Sequence, residues 1–171
     1  MLRRFTFLAI AGLAPLVVNS CGSDGSPMIE RDAGVYAAVI RALADEPPDP
    51  WRDRVDIDDQ RERVVFAGPL DEEIAISLEV QAAVVEALED LATIRFVDQR
   101  TEAIDDDHDE QPVLEGGMLV LLGTVPAGRS PAVETERYVA LDEATQYVVT
   151  AEQSDGEWMV VNLEQARTSA D

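Results

Sequence analysis

The residues with reactive or metal-binding side chains are few. One histidine, His108, lies inside the run Asp105-Asp106-Asp107-His108-Asp109-Glu110, and one cysteine, Cys21, stands near the amino end. The alternating acids Asp105, Asp107 and Asp109 could present oxygens to a hard cation such as calcium. An EF-hand loop needs glycine at its sixth place and an acid at its twelfth, whereas this run offers Glu110 and Gly116 there. A zinc site usually draws on several imidazole or thiolate ligands, and beside His108 the chain has only Cys21, far away near the amino end. A solvated acidic loop ahead of Pro112 is the simpler reading. A Ser-His-Asp system would have to draw on His108 from that loop, and no serine stands in a Gly-x-Ser-x-Gly turn. Paired carboxylates of the kind that hydrolyse glycosides are inevitable among 35 acids, so closeness in sequence singles out no pair.

Composition narrows the partners. The 171 residues carry 35 Asp plus Glu against 13 Lys plus Arg, a net charge of −22, and all the cationic residues are arginine. Such a field repels a phosphate backbone within the ~8 Å Debye length, which excludes nucleic acid as a partner. The length suits one domain. With 46% apolar and 28% charged residues, the chain can bury a core rather than stay disordered.

The amino end has the layout of an export signal. Arg3 and Arg4 precede an apolar run from Phe5 to Val18 that is too short for a comfortable membrane span and holds Pro15. Val18, Ser20 and Cys21 then resemble the lipobox of bacterial lipoproteins, with an aliphatic residue three places before the cysteine and a small one directly before it. Asn19 departs from the small residue usual at that place. The resemblance implies a diacylglyceryl group on the Cys21 thiol, cleavage before it and an acylated new amino end. Several acyl chains make a lasting anchor where one does not. A lone exported cysteine left unmodified would be a reactive thiol with no partner in its own chain. Cleavage takes two arginines and no acid, moving the net charge from −22 to −24. Gly22 to Ser26 reads as a short tether, and an acidic body is repelled by anionic headgroups, which favours a domain held off the bilayer. The implied organisation is a signal over 1–20, a lipidated cysteine and tether over 21–26, one domain over 27–163 and a tail over 164–171.

The elements follow from periodicity. Ser26 and Pro27 start a helix whose apolar positions Ile29, Ala33, Tyr36, Ile40 and Leu43 recur at three- and four-residue steps, and Pro47-Pro48 ends it. Val55 to Ile57 and Arg63 to Phe66 read as two short strands joined by a polar turn. A second helix is capped by Ser77 and carries the stripe Val80, Ala83, Val84, Ala87, Leu88 and Leu91, with Glu89 and Asp90 badly placed for its dipole. Thr93 to Asp98, Leu119 to Leu122, Val133 to Leu141, Gln146 to Glu152 and Trp158 to Leu163 read as strands. The Asp155-Gly156 turn joins the last two in an antiparallel meander. Trp51, Trp158, Tyr36 and Tyr147 read as core or core-edge aromatics.

This predicts an α+β fold, with two main helices packed on one face of a curved, mostly antiparallel sheet ending in a β-meander. The order of elements, with Asp155-Gly156 before Trp158 in the closing hairpin, resembles the NTF2-like superfamily, although such domains usually open with two helices. The lack of lysine and the wealth of Ala, Val and Arg resemble uncharacterised lipoproteins of high-GC actinobacteria. In a cone-like fold, Arg95, Arg137 and Tyr138 could line a pocket for an anionic ligand. Together these features predict a lipoprotein anchored in the cell membrane or outer membrane on its extracytoplasmic side, with a non-catalytic binding or interaction domain and no cofactor beyond the calcium option. An envelope hydrolase working through carboxylates and a purely structural or assembly lipoprotein are the alternatives.

Overall fold

The computed structural model describes residues 26–47, 63–105, 112–139 and 144–166. Helix α1 spans Pro27–Asp45, with Pro27 at its first position, where no amide hydrogen is missed. The Ser26 hydroxyl expected to cap it makes no such bond; instead the Ser26 carbonyl accepts from the amides of Ile29 and Glu30. Glu46 is extended ahead of the prolines and ends the helix.

Strand β1 (Val64–Pro69) leads into helix α2 (Leu78–Ala87), where the Ser77 hydroxyl accepts from the Val80 amide at 3.3 Å, the cap expected from sequence. Strands β2 (Thr93–Phe96), β3 (Met118–Leu122), β4 (Ala132–Tyr138), β5 (Thr145–Ser154) and β6 (Glu157–Gln165) follow. They form one open sheet in the order β2-β1-β3-β4-β5-β6. The pairings from β3 to β6 are antiparallel, so the α+β class and the closing meander are as expected.

The sheet departs from the expected pairing around β1. That strand pairs in parallel with β2 on one side and β3 on the other. A strand has two hydrogen-bonding edges, so the hairpin expected between Val55–Ile57 and Arg63–Phe66 has no free edge of β1 to use. Residues 55–57 themselves lie outside the described residues. The segment β1-α2-β2 is a crossover unit, which is what allows neighbouring strands to run parallel.

Both faces of the β1–β3 region are covered, which explains why their burial is continuous rather than alternating. On one face Val35, Val39, Ile40 and Leu43 of α1 and Val84 of α2 pack on Val65, Met118, Val120 and Leu122. On the other, Phe66, Leu119, Leu121 and Tyr138 pack with Ala103 and Val113 of the connection between β2 and β3. The two helices run side by side in the same sense: their first turns flank one shallow groove, and Arg41 of α1 binds Asp90 just past the end of α2. Asp155 and Gly156, with φ of 53° and 91°, make the type I′ turn of the β5–β6 hairpin. Val161 is the extra residue of a bulge, since Thr150 pairs with Asn162 and Ala151 with Val160. No helix among the described residues is long and apolar enough to cross a membrane.

Candidate functional site

A groove of about 770 Å³ lies between α1, the end of α2 and the tip of the β5–β6 hairpin. Its shape originates in small residues. Gly34, Ala37 and Ala38 leave the outer side of α1 low, and Trp158, paired with Gln153 beside the hairpin turn, lies against it. A Cβ on Gly34 would stand 2.4 Å from Trp158 Cδ1, so only glycine lets the indole approach this closely. Glycine inside a helix costs about 0.5–1 kcal/mol relative to alanine. Packing of the half-buried indole offsets that cost.

Charge of both signs rims the groove. Arg31 donates to Asp32 at 2.8 Å and also to the Pro126 carbonyl. Arg41 donates to the two oxygens of Asp90 at 3.1 and 2.9 Å and to the Ala87 carbonyl at 3.2 Å. The hydrogen bond raises the Arg41 pKa above its ordinary value and lowers that of Asp90. Glu89 and Asp90, expected on α2 against its dipole, fall beyond the helix, and Asp90 serves this pair. Glu30 and Glu157 complete the rim. The arrangement can hold a ligand against the indole with polar groups meeting both charges.

The residues singled out from sequence do not converge on this groove. Arg95 and Tyr138 lie on the opposite face of the sheet from Arg137, because alternate strand residues point to opposite faces. Arg95 stands 5.9 Å over the Phe66 ring and pairs with Glu115. Tyr138 is buried, with the Arg100 guanidinium 4.6 Å over its ring and paired to Glu136 at 2.7 Å. Arg137 is 1% exposed on the helix-covered face, where its Nε donates to Met118 Sδ at 3.3 Å and its guanidinium to the Glu46 carbonyl at 2.8 Å. The three therefore line no common pocket: Arg137 caps α1, Tyr138 is packed beneath the Arg100 guanidinium, and the exposed Arg95 pairs with Glu115.

The chain matches no protein-family model, no curated protein and no solved structure.

Of the proposed cation ligands, Asp105 is described and its amide donates to the Pro112 carbonyl at 2.6 Å, whereas Asp107, Asp109 and His108 lie outside the described residues, as does Cys21. Among the described residues no three His, Cys, Asp or Glu side chains gather in a position to hold a metal ion. From sequence alone Trp158 reads as a core or core-edge aromatic, and nothing around it marks the groove. The available signal was Gly34, a helix-weakening residue at the centre of a strongly periodic helix, which marks a close approach.

Proposed function

We propose that this chain is a lipoprotein held by acyl chains on Cys21 at the extracytoplasmic side of a cell membrane or outer membrane, and that its domain binds a partner without catalysing a reaction. The observation that carries the reading is the placement of the only cysteine, directly after an apolar run with a lipobox-like Val18-Asn19-Ser20 and directly before a small-residue tether. The start of α1 at Pro27 supports it, because the small-residue stretch from Gly22 to Ser26 leads directly into that helix. The groove beside Trp158 is the binding surface in this reading. Its arginines are already engaged by carboxylates and carbonyls, an arrangement suited to positioning a ligand rather than to acid–base chemistry.

Radiolabelled palmitate tests the anchor. Label should enter the wild-type chain in a bacterial host and be absent from Cys21→Ala. Equal labelling of both, or of neither, would contradict the reading.

A further inference from the structure

The two most exposed large apolar side chains of the described domain are Leu78, at 77%, and Met28, at 65%. They stand on the first turns of α2 and α1, and those turns flank the same groove, lined by Ser26, Met28 and Ile29 from one side and by Ile76 and Ser77 from the other. Ser26 is also where the amino-terminal segment joins the domain. The five-residue step from Cys21 to Ser26 spans at most ~18 Å when fully extended. That tether is shorter than α1, whose 19 residues run about 28 Å. The domain is thus held by one end, and that end carries its most exposed apolar groups.

We propose that the end of the domain formed by the first turns of α1 and α2 rests on the lipid surface that holds the anchor, with Met28 and Leu78 entering its interfacial layer. This rests on the reading of Cys21 as the lipidated residue. Two apolar side chains would not hold a free protein on a bilayer, but a tether of this length keeps them at high effective concentration beside it. The acidity that on its own favours a domain held off the bilayer acts here through Glu30, Asp32 and Glu79, so the contact forms on zwitterionic headgroups, where that repulsion is absent, and is opposed by anionic ones. The far ends of α1 and α2, and the start of β5, then face away from the membrane.

Lipidation consumes the only native thiol, so a cysteine introduced elsewhere can be spin-labelled alone in the mature protein. Met28→Cys and Leu78→Cys report on the proposed contact; Glu89→Cys, past the end of α2, and Gln146→Cys, at the start of β5, report on the far end. All four side chains are exposed, so the labels disturb no core. In phosphatidylcholine vesicles carrying the lipidated protein, labels at 28 and 78 should meet oxygen severalfold more readily, relative to a water-soluble nickel chelate, than those at 89 and 146. Added phosphatidylglycerol should reduce the difference. Equal accessibility at all four sites in protein whose mass shows the acyl groups would overturn the orientation and leave the anchor standing. Absence of acyl groups from that mass would overturn both.

Discussion

The guanidinium of Arg137 on β4 donates to the backbone carbonyl of Glu46 at 2.8 Å, and so closes the carboxyl end of α1 from across the domain. The last turn of α1 has no basic residue of its own. A cation from the sheet therefore meets the negative end of the helix dipole and one of its unsatisfied carbonyls.

Removing Arg137 should cost stability. Arg137→Ala takes a fully buried, hydrogen-bonded side chain from between α1 and the sheet. A loss of about 2–4 kcal/mol is expected from the lost bonds and the cavity together. Arg137→Met refills much of the volume without the cap and should recover part of it. Urea unfolding followed by circular dichroism measures both; an unchanged midpoint for Arg137→Ala would show that the cap is dispensable.

Gly34 and Trp158 should behave as one unit. Gly34→Ala gains up to about 1 kcal/mol in helix propensity, but its Cβ would meet the indole at 2.4 Å, and overpacking of that kind costs about 1–3 kcal/mol. Net destabilisation is expected in the wild-type background. In a Trp158→Leu background the same change should become neutral or stabilising. Thermal unfolding of the four proteins in this double-mutant cycle reads the coupling, and additive effects would refute the contact.

Thr135 presents the opposite case. Its hydroxyl is buried and has no hydrogen-bond partner among the described residues. Thr135→Val keeps the branched shape and removes the unsatisfied group, so a gain of about 1 kcal/mol is expected. A loss of similar size in urea unfolding would mean that the hydroxyl has a partner.

Tyr36 governs the alkaline limit. Its hydroxyl donates to the Gly123 carbonyl at 2.9 Å, and burial, with help from Asp32, pushes its pKa up from 10 to about 12. Above pH 10 the unfolded chain releases this proton while the folded one retains it. The contribution is therefore complete below pH 10 and disappears as the pH rises to about 12, an effect of roughly 2–3 kcal/mol at most. Tyr36→Phe should lose about 1 kcal/mol at neutral pH, through the orphaned carbonyl, and show a shallower decline above pH 10 than the wild type. Parallel declines in the two proteins would contradict the assignment.

Most local chemistry was legible in the sequence and long-range partnership was not, although Ser26 starts α1 through its carbonyl and not through the hydroxyl expected. Ser77 and the Asp155-Gly156 turn act through neighbours a few residues away, and both do what their types dictate. The unbroken apolar run in β3 matches its burial on both faces. It could not announce that β1 would lie beside it in parallel, because burial carries no strand direction. The role of Arg137 was hidden for a related reason: a pocket in a cone-like fold was one use for its charge, and the Glu46 carbonyl that it meets lies at the end of α1, far away in the chain. The α1 groove stayed hidden because Gly34 acquires meaning only from Trp158, far along the chain.

A mature protein that begins at a lipidated Cys21 has a distinctive intact mass, which can be measured on membrane-extracted protein. The expected mass is that of a chain lacking residues 1–20 and heavier than its sequence by a diacylglyceryl group, with or without a further acyl chain. A mass equal to the bare polypeptide, whether cleaved or whole, would contradict it.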